Sequence, residues 1–252
     1  MMSDRSRTQV VIVVGGGAGI GAAAARLLHR RGARVACIDR DGARSHAVAS
    51  ELDESLESAA AFTADVTDAS ALHRAVAATA EKWGRVDGLV NCAGITGITN
   101  VRCHQVDLAD FDNVVAVNLR GALVVSQAIL PIFIRQKYGR LLHVASIAGK
   151  EGNAGMVAYS ATKAGLIGLV KAAGKEYAND GITVNALAPA VIWTDLVDQM
   201  PREQVEYMTS RIPMGRLGTL DEAAEMIAWI LSPAASFTTG FTFDLSGGRA
   251  TY

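Results

Sequence analysis

A tyrosine and a lysine, Tyr159 and Lys163, stand four residues apart in a run that resembles the start of a helix. Residues i and i+4 of a helix share a face, so the lysine ammonium would lie near the tyrosine phenol. A nearby positive charge favours the phenolate and lowers the pKa of the phenol from its reference value of about 10. The spacing therefore predicts a tyrosine that can act as a general acid or base. Any helix can also supply such a pair by chance, so the rest of the chain must decide.

The N-terminal part of the chain predicts a strand, a glycine turn and a helix. Residues 10–14 are an apolar, β-branched run typical of a strand buried in a parallel sheet. The next turn carries Gly15, Gly19, Ile20 and Gly21 ahead of an alanine-rich helix. Glycines let the backbone approach a pyrophosphate, whose charge is met by free N–H groups and the helix dipole. The pattern predicts a dinucleotide cradle, and a tight turn without a ligand is the alternative.

A carboxylate, Asp39, ends the second predicted strand, which covers residues 33–38. In that position it can accept hydrogen bonds from the adenosine ribose hydroxyls and repel a 2′-phosphate. The cofactor predicted from this residue is NAD rather than NADP. Arg40 could in principle recruit the phosphate, but the glycine turn offers no second basic residue to help it.

Two later strand ends carry further candidates for the cofactor site. Asp65 and Val66 follow the third strand, where the carboxylate could accept from the adenine amino group and the valine could pack on the ring. A helix-leading turn is the alternative role of Asp65. Asn91, Ala93 and Gly94 follow the fourth strand. Their small side chains let a dinucleotide pass close by, and the asparagine amide can link neighbouring strands.

Polar residues also occur in two apolar elements. Asn118 lies inside a long predicted helix at about 108–134, where asparagine has poor propensity. It is either tolerated on the surface or kept because its side chain or a local kink is used. Ser146 ends the fifth predicted strand, and His143 inside that strand is predicted to be a core histidine rather than a ligand or base.

Seven strand candidates alternate with helices along the chain. This order predicts an α/β fold, a single doubly wound Rossmann-type domain with a seven-stranded parallel sheet and helices on both faces. No linker-like segment divides the 252 residues, so one catalytic domain over 1–252 is expected. The amphipathic, methionine-bearing segment at about 190–215 is predicted to form a lid beside the substrate.

Composition excludes several classes of partner and site. The net charge of −1 leaves no basic footprint for nucleic acid. No apolar run approaches the length that would span a bilayer, and the N-terminus lacks the apolar core of a signal peptide. Cys37, Cys92 and Cys103 show neither disulfide nor metal-ligand spacing, so no metal is expected. The chain is predicted to act on a small molecule in the cytoplasm.

Taken together, the motifs resemble the short-chain dehydrogenase/reductase family over essentially the whole chain. The residues that carry the resemblance are Gly15-x-x-x-Gly19-Ile20-Gly21, Asn91-Cys92-Ala93-Gly94, Asn118, Ser146, Tyr159-x-x-x-Lys163, and Asn185 with Pro189. The chain looks most similar to the branch that holds 3-oxoacyl-carrier-protein reductases and sugar or sugar-acid dehydrogenases. Val14 and Ala190 depart from the threonine and glycine that many members carry there, but neither change removes a catalytic group.

The resemblance implies hydride transfer between a nicotinamide and a secondary alcohol or ketone. It makes Tyr159 the general acid or base, with Lys163 lowering its pKa and binding the nicotinamide ribose. Ser146 would hold the substrate oxygen and Asn118 would anchor a water in a proton relay. The loop after the sixth strand would meet the nicotinamide through Pro189, Ile192 and Thr194. The resemblance also implies a homotetramer, in which a partner's C-terminal tail could close a site.

The substrate is the least determined feature of the sequence. Candidate pocket residues are Thr96, Lys150, Asn153, Met156 and Trp193. Lys150 or Arg102 could bind a carboxylate, whereas Lys150 and Glu151 could instead form a solvated rim. The leading hypothesis is an NAD-dependent dehydrogenase of a polyol, sugar or 2-keto-3-deoxy sugar acid. The alternatives are an NADPH-dependent 3-oxoacyl-carrier-protein reductase and a non-catalytic, cofactor-binding regulatory protein.

Overall fold

Seven parallel strands form one sheet in a computed structural model that describes residues 8–198 and 201–252. The strands are β1 (Val10–Val14), β2 (Arg34–Asp39), β3 (Ala59–Thr63), β4 (Gly88–Asn91), β5 (Gly139–Val144), β6 (Ile182–Pro189) and β7 (Thr242–Leu245). Their spatial order is β3-β2-β1-β4-β5-β6-β7. The predicted fold class and strand number are therefore confirmed.

Helices cover both faces of this sheet. They are α1 (Gly19–Arg30), α2 (Gly42–Leu52), α3 (Ala69–Trp83), α4 (Leu108–Val115), α5 (Gly121–Gln136), α6 (Ala148–Glu151), α7 (Val157–Glu176), α8 (Asp195–Asp198), α9 (Arg202–Ser210) and α10 (Leu220–Ile230). One core cluster joins α3, α5 and α7 to the sheet, and a second joins α1, α2 and α10 to the other face. Both strand faces are thus buried, which explains why the strands are apolar runs without alternation.

The strand order reverses between β1 and β4. These strands pair in parallel, with Val14 opposite Asn91 at their carboxyl ends. In open α/β sheets, ligands bind in the crevice outside the carboxyl ends at such a reversal. The topology therefore places the predicted cofactor residues around one crevice.

The long predicted helix at 108–134 is present, but it is not uniform. A π-helical turn at Ala116–Arg120 joins α4 to α5, and Asn118 within it is buried. The surface interpretation of Asn118 is therefore wrong. The expectation that no apolar segment reaches bilayer length is also wrong, because Leu108–Gln136 is long and apolar enough by length and composition. Most of that stretch is buried within the structure, however, as in a core helix.

Side-chain capping decides two helix boundaries. Helix α2 ends at Leu52, where the carboxylate of the next residue, Asp53, accepts the backbone N–H groups of Ser55 and Ser58. A capping box between Thr219 and Glu222 begins α10. Stop signals that act through side chains several residues away are harder to find in a sequence than a reciprocal cap.

The predicted lid segment contains α8 and α9. Val197, Ile212 and Leu217 form a small cluster of their own, separate from the two sheet clusters. Residues 199 and 200 of the predicted lid, and residues 1–7 of the predicted domain, lie outside the described residues. The assignment of 190–215 as a lid stays a prediction.

Candidate active site

The crevice at the strand reversal is a cavity of about 200 Å³. A Cβ added to Gly15, which has a φ of +74°, would lie 2.8 Å from the Ala93 nitrogen. A Cβ added to Gly21 would lie 2.0 Å from the Gly15 oxygen. Side chains are therefore excluded from the turn, and no side chain caps the N-terminus of α1. The free N–H groups and the close backbone approach fit a dinucleotide pyrophosphate.

Asp39 lies at one end of the crevice, with its carboxylate fixed by two backbone groups. Its Oδ2 accepts the N–H of Gly17 at 2.9 Å, and its Oδ1 accepts the N–H of Asp41 at 3.0 Å. Arg40 lines the same crevice and is exposed. This end of the crevice thus carries a held carboxylate beside a solvated guanidinium.

Asp65 and Val66 both line the crevice, and the role of Asp65 toward adenine stays a prediction. Its Oδ1 accepts the backbone N–H of Thr67 at 2.8 Å and the Thr67 hydroxyl at 2.7 Å. These bonds make the helix-leading turn. Val66 is buried and presents an apolar surface suited to an adenine ring.

Asn91 is predicted as a cofactor contact, but its side chain points into the core rather than the crevice. Its Oδ1 accepts the N–H of Ala93 at 3.1 Å, and its Nδ2 lies 3.3 Å from Nδ1 of His143. Nε2 of this buried histidine lies 3.0 Å from the Ser126 hydroxyl, which donates to the Ala122 carbonyl. The bonding pattern assigns a neutral ring that accepts at Nδ1 and donates at Nε2. Asn91 therefore shapes the crevice loop from behind.

We expect His143 to make the protein sensitive to acid. Burial, together with the charge of Lys163, lowers the pKa of His143 from 6.5 to about 3. Between those values the unfolded chain binds a proton that the native state excludes, so stability falls as the pH drops. The loss amounts to about 3 kcal/mol between pH 6.5 and 4. In His143→Gln, the free energy of unfolding measured with urea should not show this loss across the same pH range.

The exposed His104 provides a matched control, since His104→Gln should retain the wild-type pH dependence. The expectation would be contradicted if the free energy of unfolding fell by the same amount between pH 7 and pH 4 in the wild type and in His143→Gln.

Lys163 lies beneath the crevice floor, on α7. Its buried Nζ donates to the Val144 carbonyl at 2.7 Å and lies 5.7 Å from the Tyr159 ring centre. A Cβ on Gly94 would lie 3.3 Å from both this Nζ and the Asn118 Oδ1. The glycine therefore leaves room for the lysine and the asparagine to reach the crevice.

Asn118 is held by the main chain of the loop after β4. Its Oδ1 accepts the N–H of Ile95 at 2.9 Å, and its Nδ2 donates to the Ile95 carbonyl at 2.8 Å. Nδ2 also lies 3.2 Å from the Thr162 hydroxyl on α7. The π-helical turn thus places an amide that ties the loop to the tyrosine helix, in keeping with the frequent use of such turns at functional sites.

Tyr159 and Ser146 face each other, and the electrostatics differ from the expectation. Burial raises the pKa of Tyr159, and a hydrogen bond from Ser146 only partly offsets this. Burial also lowers the pKa of Lys163 to about 8. The predicted lowering of the tyrosine pKa by Lys163 is therefore wrong for this structure, because desolvation dominates and the ammonium lies over the ring.

The loop after β6 is tied to the start of α10 by backbone bonds. Ile192 forms a bridge with Gly218, and the N–H of Trp193 donates to the Gly218 carbonyl at 2.7 Å. Pro189 is buried at the end of β6. The Thr194 carbonyl accepts the N–H groups at the end of α8. Ile192 is buried too.

The candidate substrate residues differ in exposure and in hydrogen bonding. Thr96 and Arg102 are exposed, and the Thr96 hydroxyl donates to the Gly97 carbonyl at 3.2 Å. Trp193 is half exposed. Met156 accepts a weak bond from Asn153, with 3.9 Å between Sδ and Nδ2.

Lys150 requires a correction, since its ammonium is paired within the protein rather than solvated or free. Its side chain is 6% exposed, and its Nζ lies 3.0 Å from Oδ2 of Asp244. Glu151 similarly pairs with Arg249 at 3.1 Å. The sequence contained no signal for these pairs, because their partners lie about a hundred positions away along the chain.

Comparisons with known proteins agree with this arrangement. A family model described as enoyl-(acyl carrier protein) reductase matches residues 15–250. A 2-dehydro-3-deoxy-L-rhamnonate dehydrogenase (NAD(+)) of Sphingomonas sp. is 40% identical over 252 residues, which is 100% of this chain and 99% of that protein. A 3-oxoacyl-[acyl-carrier-protein] reductase of Thermotoga maritima is 34% identical, over 97% of this chain and 98% of that protein.

A solved structure shows the same architecture. The crystal structure of a 3-ketoacyl-(acyl-carrier-protein) reductase from Brucella melitensis complexed with NADH has a TM-score of 0.88 and 33% identity, covering 96% of this chain and 98% of that one. With a matching family model and full-length relatives, the chain belongs to the short-chain dehydrogenase/reductase family, whose members are oxidoreductases acting on CH–OH and keto groups.

Proposed function

We propose that this chain is an NAD-dependent dehydrogenase of a secondary hydroxyl group on a 2-keto-3-deoxy sugar acid, with a related sugar or polyol as the next candidate. One observation carries the proposal. A single crevice has the held Asp39 carboxylate at its adenosine end and Gly94, backed by Lys163 and Asn118, at its other end. The 40% identical relative named for NAD(+) and for a deoxy sugar acid supports both cofactor and substrate class.

The chain's own residues hold the cofactor and move the proton. When bound, NAD supplies the hydride acceptor. The glycine turn would meet its pyrophosphate, Asp39 its ribose, and the 189–194 loop its nicotinamide end. Ser146 would hold the substrate oxygen while Tyr159 takes or returns the hydroxyl proton. Lys163 and Asn118 would keep that tyrosine and its surroundings aligned, which is the positioning that such a reaction needs.

A second candidate is a 3-oxoacyl-carrier-protein reductase that uses NADPH. Relatives of that activity are 34% identical over almost the whole chain. Asp39 argues against it, since a carboxylate at this position disfavours a 2′-phosphate. A regulatory protein without catalysis would be expected to lack at least one of the four residues to which catalytic roles are assigned, and all four are present: Asn118, Ser146, Tyr159 and Lys163.

The test is turnover measured with NAD and NADP against three substrate classes: 2-keto-3-deoxy sugar acids, polyols or sugars, and 3-oxoacyl thioesters. We expect activity with NAD and sugar acids. Activity confined to thioesters with NADPH would establish the second candidate, and binding of NAD without any turnover would support the regulatory role.

We also propose that the protein is a cytoplasmic homotetramer. Strand β7 is an edge strand, and the neighbouring Trp229, Phe237 and Phe241 are exposed. Exposed apolar surface of this kind marks interaction sites. Light scattering of the purified protein would measure the assembly directly.

A further inference from the structure

The C-terminal segment, residues 244–252, folds back on the loop that separates Ser146 from Tyr159. The first attachment is the buried ion pair between Lys150 and Asp244, with 3.0 Å between Nζ and Oδ2. The ring of Tyr252 lies 5.1 Å from the same Nζ, and its hydroxyl donates to the Lys150 carbonyl. One lysine thus joins the loop to both ends of the segment.

A second attachment uses the guanidinium of Arg249. Its Nε donates to Oε2 of Glu151 at 3.1 Å, and its Nη2 donates to Oδ1 of Asn153 at 2.9 Å. The Arg249 side chain is only 12% exposed. A planar fork that bonds two acceptors at once gives orientation as well as energy, which a flexible ammonium does not. Arg249 therefore determines the relative positions of Glu151 and Asn153.

The attached loop contacts the catalytic residues at both of its ends. On one side, the N–H of Ala148 donates to the Ser146 hydroxyl oxygen at 3.1 Å. On the other side, the N–H of Asn153 donates to the hydroxyl of Ser160, the neighbour of Tyr159, at 3.0 Å. Between them, Gly149 packs so closely on α7 that a Cβ would lie 2.6 Å from the Lys163 carbonyl carbon. A shift of the loop would therefore change the positions of Ser146, Ser160 and Lys163.

We propose that Arg249 and Asp244 are positioning residues, through which the C-terminal segment holds the 150–153 loop and so sets the geometry between Ser146 and Tyr159. The proposal rests on the catalytic roles assigned above to those two residues. It places a determinant of activity in residues 244–252. That segment contains neither the glycine turn nor the residues to which catalytic roles are assigned.

These contacts differ from the ion pairs elsewhere on the surface. The pair Arg26 with Glu51 has side chains 38% and 55% exposed, and such pairs contribute little. In the pairs of the C-terminal segment, the Arg249 and Lys150 side chains are 12% and 6% exposed, and their partners Glu151 and Asp244 are 25% and 28% exposed. Removing one partner of such a part-buried pair leaves a poorly solvated charge, which forces the surroundings to rearrange. In this protein, the residues that would rearrange are those of the 150–153 loop.

The experiment compares Arg249→Gln with the matched control Arg26→Gln. Hydrogen exchange of residues 146–157, measured on the full-length protein without substrate, should rise about tenfold in Arg249→Gln only. With substrate, kcat/KM should fall about ten- to hundredfold while the KM for NAD stays within about twofold. The charge-swapped variant Arg249→Glu with Glu151→Arg should recover part of kcat/KM, which a general loss of stability would not allow.

Unchanged exchange in 146–157, or raised exchange with unchanged kcat/KM, would overturn the proposal. An equal loss of kcat/KM in Arg26→Gln would do the same.

Asp244→Asn tests the first attachment, the ion pair between Lys150 and Asp244. If it fails to fold because Lys150 is left unpaired, the double variant Asp244→Asn with Lys150→Met removes the buried charge and should still show raised exchange. Because exchange requires no turnover, failure of the proposed function would leave this readout intact.

Discussion

Replacing Tyr159 by phenylalanine is expected to reduce turnover by about 10²–10⁴-fold, the usual contribution of a general acid or base. The change removes only the hydroxyl, so the ring stays over Lys163 and the crevice keeps its shape. NAD binding, measured by fluorescence titration, should therefore stay close to that of the wild type. The free energy of unfolding should fall slightly or not change, because the Ser146 hydroxyl loses its hydrogen bond with the phenol.

Tyr177→Phe is the matched control, since this tyrosine is half buried at the end of the same helix and lies away from the crevice. It should leave turnover unchanged. A Tyr159→Phe enzyme that keeps its turnover would mean that another group carries the proton. Loss of NAD binding together with turnover would mean that the phenol acts in binding rather than in proton transfer.

Replacing Asp39 by serine is expected to shift the preference between NAD and NADP by about 10²–10³-fold, as judged by the ratio of their kcat/KM values. The carboxylate is fixed by the N–H groups of Gly17 and Asp41, so it cannot turn away from a 2′-phosphate. Its removal ends that repulsion and also removes the acceptor for the ribose hydroxyls. NAD should therefore lose affinity while NADP gains it.

A double variant separates the contribution of the neighbouring arginine. If Arg40 recruits the phosphate once the carboxylate is gone, Asp39→Ser with Arg40→Ser should lose most of the gain in NADP use. Asp41→Ser, which changes the exposed cap of α2, should leave the ratio alone. A wild-type enzyme that already prefers NADP, or an Asp39→Ser enzyme with an unchanged ratio, would remove Asp39 from cofactor selection.

Substrate preference is where the sequence and the structure differ most. From the sequence, Lys150 is either a carboxylate ligand or part of a solvated rim, and both interpretations assume a free ammonium. The structure places that ammonium beside Asp244, where the ion pair compensates for burial. Whatever binds the acidic end of a sugar acid must therefore be another group, or must compete with Asp244.

The amino-acid sequence by itself determined the alternation of strands and helices along the chain and the glycine turn. It also determined the acidic residue after the second strand and the spacing of Ser146, Tyr159 and Lys163. These features are local, because each depends on apolar runs, on glycine or on helical spacing within a few residues. They are sufficient to predict the doubly wound fold and the grouping of cofactor residues at the carboxyl ends of the strands.

Only the tertiary structure decided which partners each polar group has. Asn91 turns to His143, Asn118 bonds the backbone of Ile95, and Lys163 bonds the Val144 carbonyl. Main-chain atoms leave no mark in a sequence, and burial decided the direction of the Tyr159 and Lys163 pKa shifts. The attachment of Arg249 to the catalytic loop likewise depends on a long-range contact, which no local pattern encodes.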